Sequence, residues 1–420
     1  MFRALRIHNY RLFFLGSVVS NTGTWMQRIA QDWLVLQLTG SGTALGVTTA
    51  LQFLPVLLFG LYAGVVADRF PKRALLLVTQ AVMGTTALVL GVLEVSGAAR
   101  VEHVYALALV LGLATAFDNP ARQSFVVEMV GKEDLPNAVG LNATAFNLGR
   151  VVGPGIAGLL ITAFDDRTGP VFLLNAASFV GILGALVLMR PEELKTAPRV
   201  ARGRGALREG LRYVRSRRDL CTILLVTFCF GTFGMNFQVT MALMAQQTFG
   251  KAADGFGLLG TVMAVGSLTG ALLAARRERP RLRIFLGAAI AFGVLEIAAG
   301  LMPTYALFAV ALVPVGIASI TALNSANALL QLRADPALRG RVMALHVFVV
   351  FGTAPLISPL VGWVGEHVGP RWSISGGGVL SLVGALAGAA YLLRAQRAGL
   401  PLGAPPAAER PVPVAAAQSG

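Results

Sequence analysis

Charge is scarce in this sequence. Only 13% of its 420 residues are Asp, Glu, Lys or Arg, against about 25% in a soluble domain. Acid is scarcer than base, with 20 Asp and Glu beside 35 Lys and Arg. Cysteine is nearly absent. Cys221 and Cys229 stand eight apart in one apolar segment and read as two thiols on one helix, so a disulfide framework is excluded. No Cys/His cluster has metal-ligand spacing. No G-x-x-x-x-G-K-[ST] loop is present to cradle phosphate, so direct ATP drive is not expected. No catalytic constellation appears. The chain reads as neither an enzyme nor a holder of cofactor or metal.

Apolar residues are abundant. Hydrophobic residues make up 55% of the chain, and the mean hydropathy is +0.69. A soluble interior of this size could not hide that much apolar surface, so lipid is the solvent for most of the chain. Spans need about 20 residues each. Twelve are predicted, at 11–38, 42–66, 74–95, 103–119, 137–164, 169–189, 219–249, 256–275, 284–302, 304–332, 341–366 and 372–394. The start, MFRALRIHNYRLFFLG, reads as the lead of an uncleaved first span.

The net charge of +15 would fit nucleic acid if it were spread evenly. It is not. With the N-terminus cytoplasmic, 29 of the 35 Lys and Arg fall on the cytoplasmic side. This is the positive-inside pattern. The basic residues set topology and meet anionic lipid heads, and nucleic acid is not an expected partner. Both termini are expected in the cytoplasm.

The chain divides near its middle. Residues 1–189 are predicted as an N-terminal six-helix bundle and 219–395 as a C-terminal one. Between them, 190–218 reads as a linker ending in a basic amphipathic helix, with Leu207, Leu211 and Val214 on one face. Residues 396–420 are Pro- and Ala-rich and read as a disordered tail. The halves repeat. GVLE occurs at Gly91–Glu94 and again at Gly293–Glu296, 202 residues on. Asp68-Arg69 and Glu278-Arg279 give an offset of 210. Parallel repeats of this kind are a transporter architecture.

Several motifs resemble the major facilitator superfamily. Gly64-Val65-Val66-Ala67-Asp68-Arg69-Phe70-Pro71-Lys72-Arg73 resembles its signature between spans two and three. The stretches Asp118–Gly158, NTGTWMQRIAQDWLV and LRGRVMAL resemble the enterobactin-exporter-like branch, which also holds macrolide-type drug exporters. The resemblance implies an all-α membrane protein, with two pseudo-symmetric six-helix bundles around a central cavity. It also implies a cytoplasmic gate at Gly64, Asp68, Arg69, Arg73, Asp118, Arg122 and Glu128. There Asp68 would meet the start of span eleven, and Arg69 or Arg73 would pair with Asp118 or Glu128. Gly149, Gly153, Pro154, Gly155 and Gly158 resemble the antiporter motif of span five, with Ala157 replacing a usual glycine.

Arg28 and Asp32 interrupt span one. An ionised side chain in hydrocarbon is costly and marks a pathway by default. Asn21, Trp25, Arg28 and Asp32 share one helix face, flanked by Gln27, and should line the cavity. Three roles are open for the charged pair: proton coupling through Asp32, a static neutralised pair, or an interfacial pair. Arg150, deep in span five, could partner Asp32 or contact an anionic substrate. Glu94 and Glu296 are expected in interfacial structural roles, and His346 in packing.

These features favour secondary active export of a small organic molecule, siderophore or drug-like, from a bacterial cytoplasmic membrane. Proton antiport, alternating access and a monomer are expected. A nutrient importer or uniporter is the first alternative. A membrane sensor or scaffold that does not transport is the second.

Overall fold

The computed structural model describes residues 2–195, 206–276, 280–336 and 338–398. Among them, eleven helices are long and apolar enough to cross a membrane. They begin with span two and end with span twelve, Pro370–Arg397. Span one, His8–Thr39, is the twelfth. At 32 residues it covers about 48 Å, enough to cross, but its polar face keeps its hydropathy down. The helices form two pseudo-symmetric halves of six spans, and each lies close to its predicted position.

Span four departs most. The helix expected to stop at 119 runs from Val101 to Gly131, and span five follows at once as Glu133–Ala163. Gly131 alone breaks the path, with φ of 73°, a value glycine adopts without steric cost. The stretch expected as a loop is therefore helical and carries Arg122 and Glu128, with Asp118 just before it. The linker helix is present at Ala206–Ser216, with Val214 buried. The second loop marker, Glu278-Arg279, and the tail from 399 lie outside the described residues.

The tetrad repeat is a packing repeat. A Cβ on Gly91 would lie 2.8 Å from Leu173 of span six, and one on Gly293 would lie 2.8 Å from Leu382 of span twelve. The same glycine seats the third helix of each half against the sixth. The carboxylates that follow differ in depth. Span three ends at Val95, one residue past Glu94, whereas span nine runs on to Gly300. Glu94 therefore reaches the helix end and accepts the amide hydrogen of Thr168 at 2.9 Å, at the entry to span six. Glu296 sits one turn deeper and is 1% exposed.

Twelve crossings put both chain ends on one side, here termed the terminal end. At the opposite, far end the halves are zipped along two seams. In the first, span two meets the second part of span eleven, Ala354–His367. A Cβ on Gly42 would lie 2.6 Å from the Gly362 carbonyl, and one on Gly46 would lie 2.7 Å from Pro359 Cα. In the second, a Cβ on Gly158 of span five would lie 2.7 Å from the Ala253 carbonyl at the start of span eight. Small residues let these backbones touch. Toward the terminal end no ion pair joins the halves among the described residues. The molecule is closed at the far end.

Candidate functional site

Span one supplies the polar face. Gly149 and Gly153 let it approach span five, since a Cβ on Gly153 would lie 2.7 Å from Trp25 Cβ. The Trp25 ring packs edge-on against Phe146, with centroids 5.6 Å apart. The Arg28 guanidinium lies over the same ring at 4.8 Å, a cation–π contact. Asn21 lies against Gly149.

Asp32 is 0% exposed. Its Oδ1 accepts a hydrogen bond from Gln238 Nε2 at 3.0 Å. Gln238 belongs to span seven, so this bond joins the two halves. Asp32 Oδ2 is buried and has no partner. Arg28 makes no ion pair with Asp32 within 4.0 Å. The two charges form no direct salt bridge, though they stand near enough on one helix face to interact electrostatically. Nor does Arg150 partner Asp32. Its buried Nε is unpaired, and Arg150 stands one turn from Phe146 and one turn from Pro154. Pro154 packs on Gly257 and Gly260 of span eight, so Arg150 borders the seam between the halves. Gln27 turns away from that seam. It is buried and accepts a hydrogen bond from Asn175 of span six.

The glycines of the span-five motif divide their work. Gly149 and Gly153 seat span one. Pro154 and Gly158 face span eight, and a Cβ on Gly155 would lie 2.9 Å from Thr261 Oγ1. Ala157, in place of a glycine, is fully buried and leaves the seam intact.

At the terminal end the expected pairings are not the ones formed. Glu128 pairs with Lys72 at 2.7 Å, not with Arg69 or Arg73. Asp118 accepts from Thr79 Oγ1 at 2.8 Å, Gln80 Nε2 at 2.7 Å and Arg122 Nε at 3.1 Å. Arg122 also donates to Ser17 at 3.1 Å. Arg73 caps span six, donating to the carbonyls of Leu186 at 2.7 Å and Val187 at 2.9 Å. Those carbonyls are the unsatisfied groups of a helix C-terminus. All these links lie inside the N-terminal half. Gly64 and Asp68 are half-buried and Arg69 is exposed, and neither charge has a partner among the described residues.

Sequence reasoning missed Gln238, Lys72 and Thr79, whose side chains are uncharged or sit in a basic run. It also missed Glu366. Its carboxylate accepts from Ser41 Oγ at 2.7 Å and from Thr43 at the far end of the first seam. A cross-linked cluster in the C-terminal half went unread as well. There Asp219 takes Arg217 at 2.9 Å and Arg333 at 3.3 Å. Among the described residues no group of His, Cys, Asp and Glu could hold a metal.

Two six-span halves, a polar face buried between them and a seam closed at one end define a secondary transporter. It moves a small molecule across a membrane and is not an enzyme. The chain belongs to the transmembrane secretion effector family, whose profile matches residues 1–407, and it is related to efflux pumps of the major facilitator fold. It is 26% identical over 369 residues to the multidrug efflux pump Tap of Mycolicibacterium fortuitum, covering 85% of this chain and 89% of that one. It is 23% identical over 380 residues to macrolide efflux protein A of Streptococcus pyogenes, covering 87% and 92%. The staphyloferrin A transporter of Staphylococcus aureus is 24% identical over 266 residues, 63% of this chain and 66% of that protein. Among solved structures, a bacterial homologue of the human lysosomal transporter Spinster, inward-facing and unoccupied, superposes with a TM-score of 0.70 at 16% identity, covering 94% and 98%. A D-xylose–proton symporter gives 0.71 at 15% identity, covering 91% and 96%. These likenesses show the fold. The chain is a multi-pass bacterial membrane protein.

Proposed function

We propose that this chain exports a small organic molecule, siderophore or drug-like, across the bacterial inner membrane in exchange for protons. Asp32 carries the reading. It is a fully buried carboxyl with one oxygen on Gln238 across the halves and the other bare. A carboxyl placed there can hold a proton in one conformation and release it in another. Its hydrogen bond breaks whenever the halves part, so its proton occupancy is tied to the facing of the cavity.

The distribution of Lys and Arg puts the terminal end, with both termini, in the cytoplasm. The closed far end is then the outer side, and the state described is sealed on that side. Substrate enters from the cytoplasm, against Trp25 and Arg28. Opening of the seams at Gly42–Gly362 and Gly158–Ala253 would release it outside, where Asp32 takes a proton for the return. The relatives that are efflux pumps support this direction. The working unit is a monomer, and its partners are the substrate, protons and the surrounding lipid.

A second reading is uptake together with a proton. Neither Arg28 nor Arg150 forms an ion pair within 4.0 Å among the described residues, and an anion seated between them would favour the protonated form of Asp32. Anion and proton would then travel together rather than in exchange.

The sign of proton movement separates the two. Inside-out vesicles with an acid interior would be given a panel of siderophores, macrolides and lipophilic cations. Exchange predicts substrate-triggered loss of lumenal protons in the wild type and none in Asp32→Asn. Proton movement in the same direction as substrate would establish the second reading. Substrate flux that is insensitive to the gradient would overturn both.

A further inference from the structure

Glu296 is a buried acid that the cycle above leaves unused. It lies within span nine at 1% exposure, and its Oε2 has no hydrogen-bond partner. An ionisable group with no partner in a membrane interior is costly, and such groups mark functional sites. What faces it is a break in span seven. That span is helical over Arg218–Cys229, turns through a π-helical segment at Phe230–Gly234, and resumes as an α-helix at Phe237–Leu243. Single π turns inside α-helices occur frequently at functional sites. Oε2 occupies the place of a side chain on Gly234, where a Cβ would lie 2.7 Å from it. Ser381 Oγ would be equally close to that Cβ, and the Phe292 ring closes the other side.

The segment just past this turn makes two contacts, one to a residue of the first seam and one between the halves. Asn236 Oδ1 accepts from Ser358 Oγ at 3.0 Å, and Ser358 lies beside Gly46 in the first seam. Gln238 donates to Asp32. One short irregular stretch thus joins the buried acid, the far-end seam and the bond between the halves.

The other titratable groups of the packed elements are committed elsewhere. Arg371 of span twelve donates to the carbonyls of Gly300 at 3.1 Å and Met302 at 2.6 Å. Tyr305 of span ten donates to the Gly255 carbonyl at 2.8 Å. Cys229, just before the π turn, lies against Gly384. Tyr391, Arg394 and Arg397 of span twelve lie toward the terminal end, as does Arg333 of span ten. No ion pair reaches Glu296 among the described residues.

We propose that Glu296 is a second protonation site, a positioning residue that acts through the π turn Phe230–Gly234 on the Gln238–Asp32 bond. Resting on the reading of Asp32 as the proton carrier, it adds a residue in the opposite half that sets when the carrier is held. Ionised, the carboxylate demands space and donors at Gly234, and the turn must shift to supply them. Protonated, it fits the apolar pocket as it stands. The shift is passed to Gln238, four residues beyond Gly234 across the non-helical Met235-Asn236.

Infrared spectroscopy of the purified full chain in lipid nanodiscs tests this. The C=O stretch of protonated carboxyls would be followed from about pH 5 to 9, where buried acids titrate, in the wild type, Asp32→Asn and Glu296→Gln. One band should vanish in Glu296→Gln and another in Asp32→Asn. The Asp32 band should titrate about one pH unit away from its wild-type midpoint in Glu296→Gln, the level at which two sites count as coupled. Glu296→Asp, which keeps an acid, should restore most of the wild-type curve and also covers the case in which the Gln variant does not fold. An Asp32 band whose midpoint ignores Glu296→Gln, or the absence of any titrating band that depends on Glu296, would overturn the proposal. The vesicle assay is separate. If protons still exchange in Asp32→Asn while the two bands remain coupled, Asp32 is not the carrier and Glu296 keeps its place.

Discussion

The carboxylate of Glu366 accepts two hydrogen bonds from Thr43, one from the amide at 3.0 Å and one from the hydroxyl at 2.8 Å. Thr43 stands in the first turn of span two, and Glu366 in the last turn of span eleven, so the contact spans the two halves. An anion at a helix N-terminus is favoured by the unpaired amides and the helix dipole, by about 0.3–1 kcal/mol where exposed. Glu366→Ala should therefore lower the ratio of molecules closed to molecules open at the far end by about two- to fivefold. Spin labels placed on the two far-end loops, with distances read by pulsed electron resonance, would show a larger long-distance fraction. An unchanged distance distribution would mean that the glycine seams hold the far end without help.

Those seams can be tested from the opposite direction. Gly362 meets the backbone of Gly42, and Gly46 meets Ser358 and Pro359. A methyl at either glycine cannot fit without moving a whole helix, a cost of about 1–3 kcal/mol. That cost falls only on the closed far end. Gly46→Ala should leave each half folded but shift the molecule toward the state open at the far end. A cysteine placed beside Gly46 would then label faster with a membrane-impermeant thiol reagent. Labelling at the wild-type rate would show that the seam tolerates the added volume.

The Lys72–Glu128 pair is a stability element of the N-terminal half. Its side chains are 11% and 8% exposed and lie 2.7 Å apart. Removing one partner of a buried pair costs about 3–5 kcal/mol, because it strands the other charge. Lys72→Met or Glu128→Leu alone should lower the melting temperature of the purified protein. The double variant should recover much of the loss, since the stranded charge is gone. Full additivity of the two losses would show that the charges act independently.

Much of this architecture was legible in the sequence, for reasons that can be named. Spans follow from long apolar runs, and the half-chain repeat follows from GVLE because its glycine packs in the same way in each half. Arg28, Asp32 and Arg150 stood out because charge in lipid is rare. What they touch did not. Side-chain partners depend on rotation of helices that are far apart in the chain, so the pairing of Glu128 with Lys72 rather than Arg73 has no local signal. The depth of Glu296 follows from the predicted reach of span nine to 302, but the π turn of span seven that faces it has no signal within span nine. Gln238 was overlooked as an uncharged residue in an apolar span. The polar interruption Asn236–Gln238, just after Gly234, was the available signal.

Gln238 is also where the bond between the halves can be cut with least damage to either half. It is half-buried at their meeting place, so Gln238→Ala leaves no large void inside a bundle. It does remove the hydrogen bond to Asp32 seen here, and a buried acceptor left without a donor costs about 1–3 kcal/mol. That cost falls on the state in which the halves meet at Asp32, not on the folded protein. Thermal melting should therefore stay near the wild type, while gradient-driven flux drops by about tenfold, the equivalent of 1.4 kcal/mol on the conformational step. Gln238→Asn, which keeps the amide but shortens its reach, should fall between. Parallel losses in melting temperature and flux would make Gln238 a packing residue. Wild-type flux in Gln238→Ala would remove the bond from the cycle altogether.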